Sequence, residues 1–272
     1  MMRRLAIGVL LLTVLAVQRA QGACSVSITS PLSFGTYTGA QIRSSTPAAI
    51  TCPGGSWDMP LNAGTGVGAT ETVRKLTGPG GAELSYEIFR DSGYSLNWGN
   101  NSSDELMGTG SQQVYIYAQL LAGQIGPAGT YTDTVNSATS SFMLTVVIQS
   151  SCSIGANPLS FGTYAGVLLD ANTTLSVTCT SGTAYNVGLN AGTATGASVT
   201  NRMMTGPSSV HLNYSLFSNS SYTTNWGNST GSWVSGTGTG SAQTLTVYGQ
   251  IPAGQYPVPG SYADTITATV NY

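Results

Sequence analysis

Pro31-Leu32-Ser33-Phe34-Gly35-Thr36-Tyr37 returns as Pro158-Leu159-Ser160-Phe161-Gly162-Thr163-Tyr164, 127 positions further on (158 minus 31). The register then holds along the chain with small drifts. Cys24 and Cys52 answer to Cys152 and Cys179, and Leu61-Asn62-Ala63-Gly64-Thr65 to Leu189-Asn190-Ala191-Gly192-Thr193. Asn97-Trp98-Gly99-Asn100 matches Asn225-Trp226-Gly227-Asn228, and Gly129-Thr130-Tyr131-Thr132-Asp133-Thr134 matches Gly260-Ser261-Tyr262-Ala263-Asp264-Thr265. A period this long is that of a whole domain. The copies part company after Asp-Thr: the first runs on through an apolar, alternating stretch, and the second stops at Tyr272.

The start of the chain reads as a secretory signal. Arg3-Arg4 precede an apolar run from Leu5 to Val17, and Ala20-Gln21-Gly22 puts small residues at the cleavage region. The apolar run is short for a membrane span, so residues 1–23 are expected to leave, with the mature protein beginning at Ala23 or Cys24 and no membrane span after removal. Export gives the cysteines their meaning. Two per repeat at matching places predict the disulfides Cys24–Cys52 and Cys152–Cys179. A metal site would need Cys-x-x-Cys or a His cluster, and the sequence has neither.

Only 7% of residues are charged and the net charge is −2, which leaves no basic patch for nucleic acid or an anionic membrane. The 41% of hydrophobic residues alternate with polar ones in short stretches, broken by Gly, Asn, Pro and Ser clusters. This pattern predicts an all-β protein built as two tandem β-sandwiches, 24–150 and 151–272. Strands are expected at Leu32–Tyr37, Met59–Ala63, Leu84–Phe89, Gln113–Leu121 and Tyr131–Val135 in the first copy. In the second they are expected at Leu159–Tyr164, Thr174–Cys179, Tyr185–Ala191, Leu212–Phe217, Leu245–Ile251 and Tyr262–Tyr272. After the turn-like run 136–141, Phe142, Leu144, Val146 and Ile148 alternate along a further strand leading directly into Cys152. The first sandwich is therefore expected to be complete, and the second to lack its last strand.

Catalytic chemistry finds little to work with. The chain has one histidine and ten acidic residues, and no nucleophile, base and acid can be assembled from them. His211, whose place in the first repeat is taken by Glu83, reads as a strand residue. The paired Asp133 and Asp264 read as side chains bonded to a turn. No cofactor, no metal and no enzymatic activity are expected.

With Pro-Leu-x-Phe-Gly-x-Tyr, a Cys before it, a Cys closing the next strand and Gly-x-Tyr-x-Asp-Thr near the end, the chain resembles the spore coat protein U family. That family includes subunits of archaic chaperone–usher pili, and the resemblance covers both repeats. It implies an immunoglobulin-like subunit whose missing strand is supplied first by a periplasmic chaperone and then by an adjacent pilus subunit, after passage through an outer-membrane usher. The donated strand is a form of β-augmentation. Ile266, Ala268, Val270 and Tyr272 would form the assembly edge of the second domain. Phe142, Leu144, Val146 and Ile148 occupy the place of the second domain's donor strand and are expected to complete the first domain in cis. With at most one residue ahead of Cys24 in the mature chain, the subunit is expected to accept a strand without donating one.

Those expectations describe a two-domain tip adhesin, exported through the periplasm to a pilus at the cell surface. Trp57 and Met59, following Cys52, are its candidate surface-binding residues. Two other readings stay open, a structural coat protein and a secreted carbohydrate-binding module using Trp98, Trp226 and Trp233.

Overall fold

The computed structural model describes residues 24–272; the signal-sequence expectation for 1–23 lies outside them. The first repeat contributes β1 (Ser25–Ser27), β2 (Leu32–Thr36), β3 (Ile42–Thr51), β4 (Ser56–Met59), β5 (Arg74–Thr77), β6 (Glu83–Phe89), β7 (Leu106–Thr109), β8 (Gln112–Leu120), β9 (Gly129–Asn136) and β10 (Ser141–Ile148). Eight of them form one continuous sheet in the order β1-β3-β8-β6-β5-β9-β10-β2, and β4 pairs with β7. The period-two pattern dictates this arrangement. Leu84, Tyr86 and Ile88 on β6, and Ile116, Ala118 and Leu120 on β8, all point into one core.

The second repeat contributes β11 (Cys152–Ala156), β12 (Leu169–Cys179), β13 (Ala184–Leu189), β14 (Arg202–Thr205), β15 (His211–Phe217), β16 (Val234–Thr237), β17 (Ala242–Ile251) and β18 (Ala268–Asn271). They form a sheet β11-β12-β17-β15-β14 and a sheet β16-β13-β18 around a separate core. In each repeat a disulfide joins the first strand to the next long one, Cys24–Cys52 and Cys152–Cys179. Cys152 lies directly opposite Cys179 in the β11–β12 ladder.

Three expected strands differ from those observed. Leu159–Tyr164 carries no ladder, and of Tyr262–Tyr272 only Ala268–Asn271 forms a strand. Both lack the partner that their counterparts have in the first repeat. The expected strand Met59–Ala63 is shifted to Ser56–Met59, because Pro60 cannot donate to a ladder and Leu61 N–H turns away to Gly99 O (2.9 Å). The short, glycine-containing β7 and β16 were too brief for alternation to reveal.

β10 decides the difference between the repeats. It runs antiparallel to β9 over its whole length, from Ser141↔Asn136 to Ile148↔Gly129, and parallel to β2, with Leu144 opposite Leu32. Phe142, Leu144, Val146 and Ile148 are all buried, as the alternation predicts. Among the described residues β10 is the one ladder partner of β2, so the first sandwich closes through this strand.

Candidate functional site

Among the described residues, the second repeat holds the same two edges apart with no strand between them. Leu159 and Phe161 stand where Leu32 and Phe34 stand in the first repeat, and Tyr262, Asp264 and Ile266 where Tyr131, Asp133 and Val135 stand. All five counterparts in the first repeat are buried; in the second repeat the corresponding side chains are half-buried or exposed. Between the edges lies a groove of about 540 Å³ floored by Leu175, Leu189, Leu216 and Val247. It is continued toward Tyr164 and Tyr256 by a second space of about 690 Å³. An apolar cleft bordered by backbone N–H and C=O groups without ladder partners has the chemistry of a strand-binding site.

Polar knots explain how the far edge keeps its place without a ladder. Asp264 Oδ1 accepts from Thr193 N–H (2.8 Å), Thr193 Oγ1–H (2.9 Å) and Thr265 N–H (2.8 Å). Its Oδ2 accepts from Tyr214 O–H (2.7 Å). Thr205 and Ala263 exchange both backbone hydrogen bonds. Arg202, fully buried, donates to the carbonyls of Asn190, Val199, Leu189 and Trp226. Burial lowers its pKa to about 10, opposed by Tyr214 and Asp264, so it stays charged at neutral pH. Burial, then the Asp264 hydrogen bond and charge, raises the Tyr214 phenol above its ordinary range. The first repeat has the same knot in Asp133, Thr65, Thr134, Tyr86 and Arg74. Asp133 and Asp264 thus do bond to a turn, as read from the sequence. The arginines were missed, although two of the chain's eight basic residues recur at matching strand starts.

The near edge leans inward. A methyl group at Gly249 would stand 2.6 Å from Leu159 Cδ2 and 2.8 Å from Phe161 Cζ, where the first repeat has Ala118. Glycine at this point lets the two side chains settle over the floor of the groove. Phe161 also packs edge-on against Tyr214 at 6.0 Å, as Phe34 does against Tyr86 at 6.2 Å.

Of the expected assembly edge, Ile266, Ala268 and Val270 pack against the second core, and Tyr272 is exposed. Ala268 and Val270 lie on β18, which pairs with β13 on one side and leaves its other side as the sheet edge. The surface-binding expectation for Trp57 and Met59 is corrected. They are 7% and 1% exposed, and Trp57 Nε1–H donates to Gly110 O (2.9 Å). Strand β4 turns both into the core, as β13 turns Tyr185. Trp98 and Trp226 are equally unavailable to a sugar: both are buried and donate to Met59 O and Val187 O. Trp233 is half-buried, and His211 is an exposed strand residue.

Among the described residues, no group of three His, Cys, Asp or Glu side chains could hold a metal ion, and no helix is long and apolar enough to cross a membrane.

The model of the Spore Coat Protein U domain matches residues 10–137 and 138–269. Strand β10 therefore falls within the second match, although its hydrogen bonds lie in the first sandwich. "Protein U" of Myxococcus xanthus is 32% identical over 142 residues, covering 46% of this chain and 79% of that protein. Among solved structures, the chain is similar to the CsuC–CsuE chaperone–tip adhesion subunit pre-assembly complex from the archaic chaperone-usher Csu pili of Acinetobacter baumannii. The TM-score is 0.56 at 19% identity, over 92% of this chain and all of that one. The chain belongs to the Spore Coat Protein U domain family.

Proposed function

We propose that this member of the Spore Coat Protein U domain family is a two-domain subunit of an archaic chaperone–usher fibre, placed at its tip, with attachment in residues 24–150 and assembly in 151–272. One observation carries the reading: a groove filled by β10 in the first repeat is open at the matching positions of the second. A donated strand would run parallel to Leu159–Thr163 and antiparallel to Gly260–Thr267, in the register that β10 keeps with β2 and β9. It would place apolar side chains opposite Ile266, Asp264, Tyr262 and Gly260, as Phe142, Leu144, Val146 and Ile148 are placed in the first repeat.

A periplasmic chaperone supplies that strand before assembly, and an adjacent subunit supplies it afterwards, delivered by an outer-membrane usher to the cell surface. The fold similarity to a chaperone-bound tip subunit supports this order. The tip position is supported by β10 itself: the strand leading into the second repeat is locked in the first sandwich and is not free for a neighbour. Antibody–gold labelling of residues 24–150 on isolated fibres tests the reading; label at fibre ends is expected, and label spread evenly along them would refute the tip position. A coat subunit built from the same parts is the second reading, favoured by the relation to Protein U. It predicts label distributed over a surface layer with no fibre ends.

A further inference from the structure

The two repeats meet through a small plug and seat. Ile125-Gly126-Pro127, in the β8–β9 loop, touches the disulfide end of the second repeat, with Ile125 still 65% exposed. A methyl group on Gly182 would stand 3.2 Å from Pro127 Cβ, and one on Gly240 2.9 Å from Ile125 Cγ2. Ala128 N–H reaches Ser181 O at 3.3 Å. Thr180 Oγ1 donates to Gln149 O (3.1 Å) and accepts from Ser151 N–H (3.1 Å), pinning the connection that follows β10. Strand insertion and end-to-end docking are thus parts of one junction: β10 fills the groove, and the three residues Gln149–Ser151 lead straight to the seat.

Each repeat carries both halves of this junction, and one half of each has no partner among the described residues. Gly54 and Gly110 hold in the first repeat the left-handed turn positions that Gly182 and Gly240 hold in the second, with φ of +72° and +70°. Methyl groups built on them would meet no atom of the described residues within 4 Å. In the second repeat the plug loop is Tyr256-Pro257-Val258, with Tyr256 89% and Val258 47% exposed. Beside it stand Val167 and Leu168, 63% and 54% exposed, where the first repeat has Ala40 and Gln41. The unused end is thus more apolar than its counterpart, against the trend of a low-charge, polar surface. Tyr256 adjoins Gly166, the neighbour of Val167, at 3.4 Å from an added methyl, and exposed apolar side chains gathered at one end of a domain mark an interface.

We infer that Tyr256, Val258, Val167 and Leu168 form a docking surface for the glycine-lined disulfide end of another domain of this fold, engaged when that domain's leading strand enters the groove. This rests on the reading of the second repeat as a strand acceptor, and the following test separates the two. The acceptor is the full chain, natural or carrying Tyr256→Ser and Val258→Ser, both on an exposed loop. One probe is a synthetic peptide with the sequence of residues 141–149. The other is a second copy of the chain with the sequence of residues 141–151 placed directly ahead of Cys24, so that it offers both the strand and the Gly54–Gly110 seat.

The natural acceptor should bind the strand-bearing copy at least tenfold more tightly than the peptide. The double variant should lose that advantage while binding the peptide within twofold of the natural chain. Equal binding of the two probes, or an advantage that survives the double substitution, would overturn the docking surface while leaving strand acceptance intact. A peptide that fails to bind, together with a strand-bearing copy that also fails, would overturn both.

Discussion

Leu32-Ser33-Phe34 is a strand in the first repeat, and the same three residues at Leu159-Ser160-Phe161 are not. Gly129–Asn136 is a strand, and Gly260–Thr267 keeps only the single bridge at Ala263. Local sequence is nearly constant across both comparisons, so local propensity does not set the outcome. The partner sets it. β10 satisfies the facing N–H and C=O groups of two neighbours at once, and where it is missing both edges lose their ladders together. The molecule holds a finished and an unfinished version of one sandwich, with the same polar knot keeping the edges in position in each.

If β10 is what finishes the first version, a charge inside it should be the most damaging change in the chain. Leu144→Asp places an unpaired carboxylate in a fully buried site, and should cost more than about 5 kcal/mol, enough to unfold the first repeat. Thermal unfolding would then show the transition of the first repeat lost and that of the second unchanged. Survival of both transitions would break the comparison at its centre.

The knots should matter equally in the two repeats, because they are the same device. Arg74→Met or Arg202→Met leaves buried carbonyls without a donor and should each cost about 3–5 kcal/mol. The two losses, from denaturant titration, should agree within about 1 kcal/mol. A much cheaper Arg202→Met would mean the open groove is held in place by something else.

The buried phenols give a pH signature. The pKa values of Tyr86 and Tyr214 are raised from 10.0 in the folded protein, chiefly by burial and then by Asp133 and Asp264. Above pH 10 the unfolded chain releases these protons and the folded one keeps them, so their contribution is complete below that pH and falls as pH rises. The slope is about 1.4 kcal/mol per pH unit for each tyrosine. Denaturant melts from pH 9 to 11 should show this fall in both repeats, and Tyr86→Phe or Tyr214→Phe should flatten it in one repeat each.

Gly249→Ala is the smallest change and the most specific to the open state. The added methyl displaces the tips of Leu159 and Phe161 from their inward position, at about 1 kcal/mol. With a strand bound, the edge would stand as Leu32 and Phe34 stand beside Ala118, where the methyl is accommodated. The variant should therefore be slightly less stable alone and bind a peptide of residues 141–149 several-fold more tightly. Weaker binding would show that the inward lean is not what the donor strand displaces.

Much of this comparison was legible in the sequence. The 127-residue offset, the matched cysteines and the alternation of Phe142, Leu144, Val146 and Ile148 gave two sandwiches and the strand that finishes one of them. The pattern failed where pairing rather than propensity decides: Leu159–Tyr164 alternates like a strand but has nothing to bond. It also fails at Trp57 and Met59, where position after a cysteine at the domain end suggests exposure, although the alternation with Asp58 turns both inward. The buried arginines were hidden because a lone Arg in a strand looks solvent-facing; only its recurrence in the second repeat marks it as structural.

Hydrogen exchange of the full chain, with and without the peptide of residues 141–149, tests the central claim most directly. Without peptide, the amides of 32–37 and 129–136 should be strongly protected and those of 159–164 and 260–267 should exchange orders of magnitude faster. Saturating peptide should bring the second pair of segments up to the protection of the first and leave the first unchanged. Protection of 159–164 and 260–267 matching the first repeat in the absence of peptide would contradict the account, because the second sandwich would then be complete on its own.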